Sequence, residues 1–175
     1  MSLAAKSLLL IAVLGLAACN NPDRYGAGGA GGAGGAGGAG GIDTTGLGDP
    51  NNPTSIAYFN QTVGDRVLFQ VDQSTLTPEG RGILTAQANW LNQNGAYAAI
   101  IEGHADEQGT REYNLALGAR RAAAVQNFLI SQGVAANRLR TISYGKERPL
   151  EICSEEACYA KNRRAVTVLS AGAGV

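Results

Sequence analysis

Hydrophobic and polar positions from residue 56 onward fall into short regular blocks punctuated by glycine, asparagine and proline. Arg66-Val67-Leu68-Phe69-Gln70-Val71-Asp72 is β-prone and reads as a strand. Thr77-Pro78-Glu79 then carries the marks of a helix start. Threonine caps, proline suits the first helical position, and glutamate favours the positive helix end. Leu84, Ala88 and Leu91, at i, i+4 and i+7, mark a buried stripe, and Asn94-Gly95 ends the helix. Ala98 to Glu102 reads as a second strand. Thr110 caps a longer helix that runs to about Gln132 and stops at Gly133, with Leu115, Ala119, Ala122, Val125 and Leu129 as its apolar face. Arg140 to Tyr144 forms a third strand and residues 145–149 a turn. A short helix over Glu155 to Asn162 and a strand over Ala165 to Leu169 complete the pattern. Strands alternating with helices predict an α/β fold of the α+β type, a two-layer sandwich with helices packed on a small mixed sheet.

Upstream the pattern is different. Lys6 supplies a short positive region, Ser7 to Leu16 an apolar one, and Ala17-Ala18 the small residues of a secretory signal, too short to span a bilayer comfortably. Leu16-Ala17-Ala18-Cys19 resembles the lipobox of bacterial lipoproteins. It implies cleavage after residue 18 and lipidation of Cys19, the alternative being a plain signal with a chance cysteine. Several acyl chains exceed what stable anchoring needs, at roughly 0.8 kcal/mol per buried CH₂. Residues 19–55 include Ala-Gly-Gly repeats and lack helical or strand periodicity, so they read as a flexible linker. About 36 such residues have an r.m.s. span of roughly 30–36 Å and a fully stretched reach of about 120 Å. The folded domain is then expected over 56–175.

The chain holds 3 cysteines. Lipidation consumes Cys19 and leaves Cys153 and Cys158, for which a disulfide is the default in an oxidising compartment. A metal site there would need further ligands. The formal net charge is zero, against the basic excess of a nucleic-acid binder. One tryptophan among few aromatics argues against a carbohydrate-stacking groove.

The runs IEGHADEQGTREYNLALGARRAAAV (101–125), ISYGKERP (142–149) and AKNRRAV (160–166) resemble the OmpA-like C-terminal domain family, most closely its lipid-anchored, peptidoglycan-associated branch. The resemblance covers about residues 60–170. It implies a βαβαβ sandwich on an outer-membrane anchor, facing the periplasm and binding peptidoglycan stem peptides through meso-diaminopimelate, whose side chain ends in an ammonium and a carboxylate. It assigns Asp106 to recognition of that tip and Arg121 to its carboxylate, with Asn114 adding an amide contact and Asp72 retained from the family's strand motif. Arg163 and Arg164 rank second, lining the pocket or capping the short helix. The resemblance also implies a protein partner, TolB of the Tol system that serves envelope constriction at division, competing with peptidoglycan for one surface. The sequence departs from the family at Ala105, where a threonine is common, and at Gln70 and Val71.

The chemistry of these residue types agrees: a zwitterion needs a fixed anion and a fixed cation, and arginine offers carboxylate a planar fork. Backbone N–H groups at the start of the 110–132 helix would favour the anionic end. Arg120 and Arg121 point about 100° apart, so both cannot face one ligand equally; the resemblance gives the ligand to Arg121 and leaves Arg120 to surface ion pairs. The alternative is that Asp106 and Arg121 simply pair, strand to helix. His104 reads as a hydrogen-bonded scaffold residue. Glu102, His104 and Asp106 alternate along one strand face, a row that could suggest acid–base catalysis. Without a nucleophile elbow, and with too few ligands for a metal, a binding protein that is not an enzyme, without metal or cofactor, is the expectation. Stator- and porin-type relatives need an upstream membrane helix or barrel, and residues 20–55 read as neither.

Overall fold

Two threonines start the two long helices as their position predicts. Thr77 accepts from the Gly80 N–H at 3.0 Å and opens α2, Pro78–Gln93. Thr110 accepts from the Tyr113 N–H at 3.2 Å and opens α3, Arg111–Ser131. Gly133 takes φ +91° past the end of α3, a left-handed conformation that glycine adopts without a Cβ penalty. The computed structural model describes residues 46–171. The signal (1–18), Cys19 and the Ala-Gly-Gly repeats lie outside the described residues.

The remaining elements are a short helix α1 (Ile56–Tyr58) continued by a π-helical turn (Phe59–Gly64), β1 (Arg66–Leu68), β2 (Tyr97–His104), a 3₁₀ turn (Ala136–Arg138), β3 (Leu139–Gly145), α4 (Glu156–Asn162) and β4 (Arg164–Ala171). The sheet order is β1-β4-β2-β3. β2 pairs parallel with β3 and antiparallel with β4, and β4 pairs antiparallel with β1. The sheet is therefore mixed, as expected, and α2 and α3 pack together over it. Val67, Ile101, Ala165 and Leu169 of the sheet meet Leu84, Leu91, Ala122, Val125 and Leu129 of the helices in one core. Burying each such large side chain contributes about 1.5–3 kcal/mol.

Three features differ from the sequence expectations. The first strand stops at Leu68 rather than Asp72. The last ladder bond runs from Phe69 N–H to Arg163 O at 2.9 Å, and the chain then turns, with Gln73 N–H bonding Gln70 O. Residues 46–55, read as linker, pack on the domain. The Trp90 indole donates to Pro53 O at 2.7 Å and the Tyr97 hydroxyl to Thr54 O at 2.8 Å, while Leu47 rests against the core. Finally, the buried face of α3 runs through Asn114, Leu117, Gly118, Arg121, Ala122, Val125 and Leu129, and Ala119 is exposed. The helix is rotated from its apparent apolar stripe because two polar side chains belong to its inner face.

That rotation is enforced by contact with β2. A Cβ on Gly103 would lie 1.9 Å from the carbonyl oxygen of Gly118, and one on Gly118 would lie 2.8 Å from the Gly103 oxygen. Helix and strand backbones touch there. Asn114, one turn before Gly118, is thereby set beside the end of β2.

Candidate functional site

The chain leaves β2 at His104 and enters α3 at Arg111. Between them, the Ala105 N–H bonds Gly145 O at 2.8 Å, tying the start of the loop to the end of β3. Gly109 turns with φ +90°. The Asn114 amide donates to Gln108 O at 2.7 Å, and the Lys146 ammonium donates to Gly109 O at 2.7 Å and Glu107 O at 3.3 Å. The loop is held from both sides. Its Asp106 carboxylate accepts from the Gln108 N–H at 3.3 Å and borders a recess of 260 Å³ lined by Val71, Asp72, Asp106, Gln108, Gly109, Tyr113, Asn114 and Leu117. Asp72 sits at φ +57°, and its carboxylate accepts from the Tyr113 hydroxyl, joining the 70–73 turn to α3 across the mouth.

Arg121 lies beneath, fully buried. Its Nε donates to Gln73 O at 2.8 Å, Nη1 to His104 O at 2.8 Å and Nη2 to Gln70 O at 3.2 Å. Three carbonyls from two segments thus converge on one guanidinium. With five N–H donors on arginine, one on each terminal nitrogen has no partner among the described residues. Desolvation pulls its pKa down to about 10, opposed by the nearby Asp106 charge, so it stays cationic at neutral pH.

Asp106 pairs with Arg163, not with Arg121. Arg163 Nη1 lies 3.2 Å from the Asp106 carboxylate, Nε donates to Phe69 O at 3.3 Å, and Nη2 donates to Glu156. Burial works against the Arg163 charge, but the hydrogen bonds to Glu156 and Asp106 outweigh it and raise its pKa. The same contact holds the Glu156 carboxyl below its usual range.

The structure thus gathers Asp72, Asp106 and Asn114 on one recess, with Arg121 and Arg163 behind it. Arg164 is not there. As the first residue of β4 it donates instead to Asn162 O at 3.4 Å and Arg148 O at 3.2 Å. Arg120, expected in surface ion pairs, lies 5.9 Å above the Tyr113 ring. Cys153 and Cys158 form the expected disulfide, their Cα atoms 6.0 Å apart. Tyr113, Gln108 and Leu117 were missed by the sequence reading. A tyrosine just before Asn114 at the helix start was the available signal, but only its link to Asp72 gives it meaning.

The Glu102–His104–Asp106 row does not form a catalytic array. A register shift between Gly103 and His104 breaks the alternation, and Asp106 turns to Arg163. His104 is buried, and neither ring nitrogen makes a hydrogen bond of good geometry, so the scaffold residue is held by packing and only weakly by the Arg148 backbone. Nε2 lies 3.6 Å from Glu102 and the ring 5.5 Å from that of Tyr144. Burial first, then the charges of Arg164 and Arg148, pull its pKa to about 4.

The sequence model of the OmpA family matches residues 68–163. The peptidoglycan-associated lipoprotein of Mesorhizobium japonicum is 57% identical over 122 residues, covering 70% of this chain and 72% of that one. The protein of the same name from Agrobacterium fabrum is 53% identical over 132 residues, covering 74% of each chain. Among solved structures, the peptidoglycan-associated lipoprotein from Burkholderia pseudomallei matches with a TM-score of 0.62 at 36% identity, covering 70% of this chain and 100% of that chain.

Proposed function

This chain belongs to the OmpA family, among its peptidoglycan-associated lipoproteins, and from that premise we infer that it binds peptidoglycan by seating the diaminopimelate tip of a stem peptide in the recess of Asp72, Asp106 and Asn114. As a member of this family it is a non-enzymatic, peptidoglycan-binding lipoprotein of the outer membrane, its domain facing the periplasm. The observation that carries the site assignment is the recess itself. It presents a preorganised carboxylate, Asp106, beside the N-terminal end of a 21-residue helix. The ammonium of the tip lies against Asp106, in a charge-assisted hydrogen bond worth about 1.5–3 kcal/mol. The carboxylate faces the helix start and the field of Arg121 from below. Asn114, already donating to Gln108 O, offers its amide oxygen.

The tether suits this reading. Residues 53 and 54 fasten to Trp90 and Tyr97, and Tyr97 begins the strand whose far end is His104. Eight residues of strand separate the two poles by roughly 25 Å. The described chain thus enters the domain at the Trp90–Tyr97 pole, at the end of β2 remote from the recess. Membership of this branch also supports a role in the Tol system, with TolB competing for the surface around the recess. In that case each partner lowers the apparent affinity of the other.

Co-sedimentation with purified cell-wall sacculi tests the site. Wild-type protein pellets with them and releases no soluble muropeptide, whereas Asp106→Asn stays largely in the supernatant. Equal pelleting of the two proteins would remove Asp106 from the site.

A further inference from the structure

We propose that α4 and the loop closed by the Cys153–Cys158 disulfide are a positioning device for Asp106, keeping the acidic loop in its ligand-ready geometry. The proposal rests on the reading of the recess as the stem-peptide site and adds residues that lie outside it. A seven-residue helix does not hold its shape alone, since isolated helices shorter than about 12–15 residues are marginal in water. Here α4 is tied at both ends. The disulfide links its first turn, at Cys158, to the preceding loop. At its other end the buried Asn162 side chain accepts from the Leu150 and Glu151 N–H groups at 2.7 and 3.1 Å and donates to Glu151 O at 2.8 Å.

Two lines of contact run from this clasped unit to the recess. In one, Glu156 on the first turn of α4 accepts from Arg163, and Arg163 in turn holds the Asp106 carboxylate. In the other, the Tyr159 hydroxyl and the Ser154 hydroxyl, the latter inside the disulfide loop, donate to one oxygen of Glu107 at 2.9 and 3.2 Å. Glu107 is the residue next to Asp106. The disulfide closes a loop of only five residues in sequence separation, so its constraint on the unfolded chain is small compared with that of a long-range cross-link. Its place on the turn that carries Glu156 makes it effective locally instead. Glu156, Tyr159 and Ser154 are positioning residues in this account.

The test uses the full-length protein in detergent and a soluble muropeptide ending in meso-diaminopimelate, with affinity measured calorimetrically. Replacing both cysteines by serine should lower affinity about tenfold, the loosening of one hydrogen bond to a charged group, with faster amide exchange confined to residues 105–109 and 150–163. In the Asp106→Asn background the same cysteine replacement should have little further effect. Tyr159→Phe, which leaves the disulfide intact, should lower affinity by a few-fold and decides the matter if the double serine variant fails to fold. Wild-type affinity in the folded double variant or in Tyr159→Phe, or an equal loss with and without the Asp106 carboxylate, would overturn the proposal. If Asp106→Asn alone binds as wild type, it is the site assignment that fails.

Discussion

The Asp106 carboxylate is held 3.2 Å from the Nη1 of Arg163, both side chains buried, across 57 residues of sequence. This pair joins the loop after β2 to the junction of α4 and β4. It gives the recess an anion whose position is set before any ligand arrives.

Removing that anion strands a buried guanidinium. Asp106→Ala should destabilise the domain by about 3 kcal/mol, the low end for breaking a buried pair, because Glu156 still faces Arg163. Urea unfolding should show a lower midpoint with an unchanged slope. A midpoint equal to wild type would mean the pair contributes nothing.

Arg121 makes a contrasting prediction. Its three carbonyl partners come from Gln70, Gln73 and His104, and a lysine ammonium on a flexible stem does not reproduce that planar fork. Arg121→Lys should cost about 2–4 kcal/mol of stability, the loss of one or two bonds to a charged group. Binding should fall with it, because the turn carrying Asp72 is released. A variant that folds as stably as wild type but fails to bind would instead place the guanidinium in direct ligand contact alone.

The backbone contact between Gly103 and Gly118 leaves no room for a methyl group. Gly103→Ala should lower stability by about 3 kcal/mol or more, beyond ordinary overpacking, because the obstruction is backbone. Thermal unfolding followed by circular dichroism measures this directly. Near-wild-type stability would show that α3 shifts easily on the sheet.

His104 predicts a pH dependence. Its folded-state pKa of about 4 lies below the ordinary 6.5, so the unfolded chain takes up the proton first as pH falls. Stability is full above pH 6.5, is lost progressively as pH falls from there towards 4, and loses nothing more from this group below that. The loss is on the order of 2 kcal/mol. Between pH 5 and 6.5, where carboxylates contribute little, urea midpoints of wild type should slope while those of His104→Leu stay flat. Parallel curves would contradict this assignment.

Local chemistry made much of the fold legible. The caps at Thr77 and Thr110, the stop at Gly133 and the short helix before β4 are encoded within a few residues of where they act. The rest depends on partners distant in sequence. Residues 46–55 lack periodicity, and their order comes from side chains of Trp90 and Tyr97 bonding to their carbonyls. Hydropathy misplaced the inner face of α3 because Asn114 and Arg121 are buried through hydrogen bonds. The neighbours Arg163 and Arg164 could not be separated by composition. The strand starts between them, and across that boundary one side chain reaches Asp106 while the other reaches the Asn162 and Arg148 carbonyls.

A crystal structure of the domain with a stem peptide ending in meso-diaminopimelate should show the terminal ammonium within hydrogen-bonding distance of Asp106 and the adjacent carboxylate facing the start of α3. A peptide bound in the 590 Å³ groove beside Leu68, Ile83 and Ala160, with the Asp106 recess empty, would contradict that placement.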